Sequence, residues 1–183
     1  MRVYIAGAHS VGKSTLSRYI ADNYKLPMVT EVARQVLSER ELAINSLRTN
    51  LDVVDSYQAE VFERQMLEEE KYSSFVSDRT FDNLAYAVQH SRIFSKLIKL
   101  PKFEKYIESL KRSDAFVFFV RPSKETLRED GVRETLNWDG IVAIDAMIKL
   151  MIEMWEIPYF QINTPNMQER VRLMDNVLSR YQK

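Results

Sequence analysis

The sequence predicts an α/β fold: a single domain with a five-stranded parallel sheet and helices on both faces. Three observations carry that prediction. Five short runs rich in β-branched and aromatic residues, at 2–6, 28–30, 74–78, 115–120 and 159–162, alternate with longer segments whose apolar residues recur at helical spacing. The run at 115–120, Ala-Phe-Val-Phe-Phe-Val, is apolar throughout, as a strand covered on both faces requires. The first run passes directly into a glycine-containing loop and then a helical pattern, the strand–loop–helix order of a parallel sheet with crossover helices.

Taken in order, residues 2–6 read as a buried strand, and Leu16, Tyr19, Ile20 and Tyr24 mark the inner face of the helix that follows. Residues 22–27 read as a helix exit ending in Pro27, and 28–30 as a short second strand. A long helix spans 51–72 with Val54, Tyr57, Val61 and Phe62 inward, and its acidic run Glu68-Glu69-Glu70 reads as a solvated face. The third strand ends in Asp78 and leads to a helix containing Asp82, Tyr86 and His90. Beyond the fourth strand, an apolar helix around Val142, Met147, Met151 and Trp155 uses its methionines as core filler, and an amphipathic helix over 167–181 closes the chain.

Composition narrows the function. With 183 residues and 45% hydrophobic content, the chain supplies one well-packed core, and 1–183 is expected to be one domain. Lys+Arg and Asp+Glu both number 26, so no overall charge excess advertises nucleic acid or membrane as a partner. The absence of cysteine excludes disulfides and thiolate metal sites and agrees with a reducing compartment. No basic-then-apolar leader and no membrane-length apolar run appear, so a soluble cytoplasmic protein is expected.

The stretch Gly7-Ala8-His9-Ser10-Val11-Gly12-Lys13-Ser14 matches the phosphate-cradling pattern G-x-x-x-x-G-K-[ST] at every defined position. Such a loop curls tightly enough to aim successive N–H groups at a polyphosphate, and the helix behind it adds its positive end. Lys13 is expected to reach the β- and γ-phosphates and Ser14 to place its hydroxyl on Mg²⁺, while Thr15 continues into the helix. The implied cofactors are ATP and Mg²⁺.

Other candidates stand at the carboxyl ends of predicted strands, where open α/β sheets form their ligand crevice. Glu31 follows the second strand with Arg34 one turn later; the pair faces the crevice or forms a surface ion pair. Asp78 ends the third strand, where such enzymes hold a carboxylate near magnesium or the acceptor, although a helix N-cap would also place an Asp there. Arg79 follows it. From Arg92 to Arg112 seven basic residues face only Glu104 and Glu108, with Phe94, Phe103 and Tyr106 interleaved. That is either a cationic groove that stacks bases or an amphipathic helix pair with its aromatics in the core. Residues 123–137, polar and rich in both charges, contain Arg128, Gly131 and Arg133 and read as a mobile lid or a solvated loop.

Four stretches carry a resemblance: the glycine loop, Glu31-Val32-Ala33-Arg34, the run from Ser77 to Tyr86, and Asp130-Gly131-Val132-Arg133. In this order and spacing the chain resembles the small P-loop kinases, in particular the group containing the nicotinamide riboside kinase domain of the bacterial NAD-biosynthesis regulator, and the thymidylate-kinase-like nucleoside and nucleotide kinases. The resemblance implies that Glu31 or Asp78 activates the acceptor hydroxyl or holds magnesium, with Glu31 the choice for the base and Asp78 for the metal. It implies that Arg79 contacts phosphate or orients the acceptor, and that Arg128 and Arg133 lie in a lid closing over ATP.

Three functions compete. A Mg-ATP-dependent kinase of a nucleoside-like small molecule leads. A kinase of nucleic acid, at a polynucleotide end or a hydroxymethylated base, rests on the basic stretch alone. A nucleotide-hydrolysing switch or motor lacks support, since the chain has no Asn-Lys-x-Asp guanine-reading motif and no Leu-Ser-Gly-Gly signature.

Overall fold

The computed structural model describes residues 1–30, 32–40, 50–126 and 138–181. Strands β1 (Arg2–Ala6), β2 (Met28–Val29), β3 (Phe75–Ser77), β4 (Ala115–Val120) and β5 (Tyr159–Ile162) form one sheet in the order β2-β3-β1-β4-β5, parallel throughout. Helices α1 (Lys13–Tyr24), α2 (Val32–Glu39), α3 (Leu51–Glu70), α4 (Asp82–His90), α5 (Phe94–Leu97), α6 (Pro101–Leu110), α7 (Trp138–Met154) and α8 (Met167–Leu178) connect them. Neighbouring residues of a strand point to opposite faces. Every residue from Val3 to Ala6 and from Phe116 to Val120 is buried, so both faces of the central strands are covered.

Local chemistry sets the helix ends. The side chain of Asn50 caps α3 by accepting from the N–H groups of Asp52 and Val53, and Asn166 caps α8 in the same way through Gln168 and Glu169. Helix α1 stops at Lys25, which adopts the left-handed conformation, φ 55°, and returns its N–H to the Ala21 carbonyl. Pro101 opens α6, where its missing N–H costs nothing.

Packing follows the predicted stripes on α1 and α3. Leu16 and Ile20 are fully buried, and Val54, Tyr57, Val61 and Phe62 face inward. Tyr19 and Tyr24 keep their rings against the core and donate their hydroxyls to the two oxygens of Asp175 on α8, at 2.7 and 2.8 Å. The isoleucines of α7 set its phase, and the solvated reading of the acidic run on α3 is corrected at Glu69. Val142 faces outward, because Ile141, Ile144, Ile148 and Ile152 are buried and Trp155 closes the helix by stacking on Phe81, centroids 5.8 Å apart. Glu69 is buried rather than solvated, accepting from Gln65 Nε2 at 2.7 Å and from the Ser77 hydroxyl at 3.2 Å, because its turn of α3 lies across β3.

The basic stretch folds as α5 and α6, with Phe103 and Tyr106 in the core. Arg92 pairs with Asp52 and Asp55, Lys102 with Glu63 and Arg112 with Asp114. This is the amphipathic reading; a base-stacking groove gains no support. Asp78 is not a helix cap either, since α4 begins four residues later behind Phe81. Of the predicted lid, Lys124–Thr126 form one 3₁₀ turn. Residues 127–137, including Arg128 and Arg133, and also Glu31, lie outside the described residues.

Candidate active site

The strand order places the carboxyl end of β1 between those of β3 and β4, so the loop at 7–12 opens where the strand order reverses. Gly7 is forced by close approach: a Cβ there would lie 2.6 Å from the backbone carbonyl oxygen of Val120 at the end of β4. Gly12 is forced by conformation, with φ +91°. Between them Ala8 and Val11 are buried and anchor the loop, while Ser10 turns through φ 58°. The His9 ring packs on Tyr86 of α4, centroids 4.6 Å apart, and Tyr86 packs in turn toward His90 at 5.7 Å. Thr15 is exposed on the first turn of α1.

Lys13, the first residue of α1, folds back over the loop. Its Nζ donates to the carbonyls of Gly7 and Ala8 at 2.6 and 2.7 Å and lies 2.9 Å from Asp82 Oδ2. Burial pushes the Lys13 ammonium below its ordinary pKa, and the Asp82 carboxylate is the main influence holding it up. Ser14 Oγ donates to Asp78 Oδ2 at 3.0 Å. Asp78 is buried with its Oδ1 unpartnered among the described residues, and that burial raises its pKa against the pull of Arg79, Ser14 and Lys13. Arg79 is half-buried beside it, its Nε also without a hydrogen-bond partner among the described residues.

Of the sequence-predicted residues, the structure therefore brings together the loop, Lys13, Ser14, Asp78 and Arg79. Two neighbours went unassigned. Asp82, 1% exposed, ends in the same cluster because α4 starts directly above the loop; its spacing four residues after Asp78 was the available signal. Arg170 of α8 is fully buried, donating from Nε to the Thr164 carbonyl at 2.6 Å and from a terminal nitrogen to the carbonyl of Val11. It ties the β5–α8 turn to the phosphate loop across 159 residues of sequence, and no local pattern announces it.

Among the described residues no three metal-binding side chains cluster. The donors present nevertheless suit Mg²⁺, which keeps waters and substrate phosphates as ligands and asks the protein for only one or two oxygens. Ser14 Oγ and the unpartnered Asp78 Oδ1 are such a set.

The strand order, the loop and its lysine and serine define a P-loop nucleotide-binding domain with a kinase fold. The chain belongs to the AAA domain family, whose model matches residues 2–170. Similar solved structures are P-loop kinases. Deoxyadenosine kinase from M. mycoides with bound dATP is 16% identical, TM-score 0.65, covering 98% of this chain and 99% of that one. NadR protein in complex with NR is 17% identical, TM-score 0.67, over 89% of this chain and 43% of that one. Shikimate kinase from Acinetobacter baumannii in complex with shikimate is 12% identical, TM-score 0.58, over 100% and 95%. At these identities the likeness is one of fold. A comparison with curated proteins found no match. No helix among the described residues is long and apolar enough to cross a membrane.

Proposed function

We propose that the chain, acting as one kinase unit over 1–183, is a Mg-ATP-dependent phosphotransferase whose acceptor is a hydroxyl of a nucleoside-like small molecule. The observation that carries this reading is the cluster at the mouth of the glycine loop, in which Lys13 and Ser14 meet the buried carboxylates of Asp82 and Asp78. The nucleoside-like acceptor draws its support from the deoxyadenosine kinase and NadR folds, and the shikimate kinase fold supports a small-molecule acceptor more generally.

In this reading the amides of the loop hold the β- and γ-phosphates, and Lys13 leaves the Gly7 and Ala8 carbonyls to neutralise charge on the transferring group. Ser14 and Asp78 would hold magnesium, which would supply neutralisation of phosphate charge. Glu31 takes the acceptor's hydroxyl proton, the acceptor oxygen bonds to the γ-phosphorus, and the bond from that phosphorus to the β–γ bridging oxygen breaks to release ADP. Arg79, adjacent to Asp78, orients the acceptor or the γ-phosphate. Arg128 and Arg133, in a lid over 123–137, close over ATP and act in the transition state. Arg133→Ala should then lower kcat by about a hundredfold while ATP affinity in the open enzyme changes little; wild-type kcat would remove the lid from the mechanism.

The test of the whole reading is transfer of label from γ-³²P-ATP to a panel of nucleosides, nucleotides, nicotinamide riboside, shikimate and oligonucleotides. Label on a nucleoside-like compound is expected. Label on oligonucleotides alone would replace the acceptor class, and ATP hydrolysis with no labelled acceptor would favour a nucleotide-driven switch.

A further inference from the structure

At the end of the sheet opposite the phosphate loop, a cavity of about 160 Å³ opens between the amino ends of β1 and β3, the last turn of α3, and α6. That volume is of the size that admits one benzene ring, since an engineered cavity of roughly 150 Å³ does so. Its walls are of two kinds. Met66 and Phe75 supply apolar surface, while Arg2, Lys105, Tyr106, Glu69 and the exposed Glu70 at the rim supply polar groups.

The polar wall is rich in donors that are not otherwise used. The Arg2 guanidinium lies over the Phe75 ring, 5.9 Å from its centroid, and makes no hydrogen bond or ion pair among the described residues; its Nε is buried. Lys105 likewise has no acidic partner among them, unlike Arg92, Lys102 and Arg112 nearby. Tyr106 is 3% exposed, and its hydroxyl has no hydrogen-bond partner among the described residues. Buried polar groups are normally satisfied, so unused donors around one ring-sized space are a recognition feature rather than core filling. Glu69 opposes an anion least when neutral, and burial pushes its pKa up to about 7.

We infer that this cavity is a second ligand site, for a small ring-bearing monocarboxylate whose carboxylate meets Arg2 and Lys105 and whose ring lies against Phe75 and Met66. Nothing in this inference depends on the phosphotransferase reading, because none of these residues belongs to the nucleotide cluster.

Benzoate is the probe and the full chain the sample, with binding followed by amide NMR shifts. Saturable shifts are expected around Arg2, Tyr4 and Ser109, with no displacement by saturating Mg-ATP. Arg2→Gln should weaken benzoate about tenfold, the worth of one charge-assisted hydrogen bond, and exposed Lys105→Gln, which puts no folding at risk, should weaken it about threefold. Benzamide should bind at least tenfold more weakly than benzoate. The inference is overturned by the absence of saturable binding, by equal binding of benzamide, by affinity unchanged in both variants, or by competition with Mg-ATP, which would place the anion on the phosphate loop.

Discussion

Lys13 is held by three oxygens, one of them on the almost fully buried carboxylate of Asp82. The sequence alone suggests that Lys13→Ala would spare the fold. The ion pair changes that expectation: removing one member of a buried pair leaves a desolvated charge behind and costs about 3 kcal/mol or more. Lys13→Ala should therefore both abolish phosphotransfer and lower stability, and adding Asp82→Asn should restore most of the lost stability without restoring turnover. Urea denaturation of the two variants checks this, and equal stability of Lys13→Ala and wild type would refute it. Glu69 makes a second residue-scale case. Its folded pKa, about 7, lies above the ordinary carboxylate value, so the folded state holds a proton that the unfolded chain has released. Stability linked to Glu69 is thus full below the ordinary carboxylate range and is lost as pH rises through about 7. In Glu69→Gln, which keeps an acceptor for Gln65, stability relative to wild type should improve by about 2 kcal/mol between pH 5 and pH 8. A difference that does not change with pH would mean that Glu69 is ionised in the fold throughout.

At the scale of elements, the phosphate loop is clamped from two sides. Beneath Gly7 the end of β4 leaves no room for a Cβ, and behind Val11 the guanidinium of Arg170 joins the loop to the turn before α8. Arg170 acts as a positioning residue: it touches loop carbonyls and lies behind the face that would receive phosphates. Arg170→Met keeps much of the buried volume and loses both bonds, leaving the Val11 and Thr164 carbonyls without this donor. The expected result is an ATP KM raised about tenfold with kcat within about twofold, the signature of weaker uniform binding. A fall in kcat with unchanged KM would instead give Arg170 a transition-state role.

At the scale of the molecule, one apolar cluster runs through both faces of the sheet and reaches α1, α4, α6, α7 and α8. A continuous core of this kind favours a single cooperative transition, in keeping with the proposal that 1–183 forms one domain. Trp155, stacked on Phe81 beside the site helix α4, reports on the heart of that cluster. In a Trp138→Phe background, unfolding followed by Trp155 fluorescence and by far-ultraviolet circular dichroism should superimpose. Separate midpoints would divide the chain into more than one unit.

What the sequence determined is what local geometry encodes. The glycine loop is legible because its backbone demands glycine at two positions and its chemistry demands lysine and a hydroxyl beside them, all within eight residues. Strands β1 and β4 are legible because their apolar runs match the pattern of buried strands, β5 because its aromatic and β-branched residues favour an extended chain, and Asp78 because a carboxylate ending such a strand has few places to point. The tertiary structure decided what depends on contacts between distant segments. It brought Asp82 onto Lys13 and Arg170 under Val11, and it turned the middle glutamate of an acidic run into a buried group, since burial is a property of what packs against a residue and not of its neighbours in the chain. It resolved part of the basic stretch from 92 to 112 in the same way: Arg92 and Lys102 pair with Asp52, Asp55 and Glu63 on α3, which the linear sequence keeps some 40 residues away.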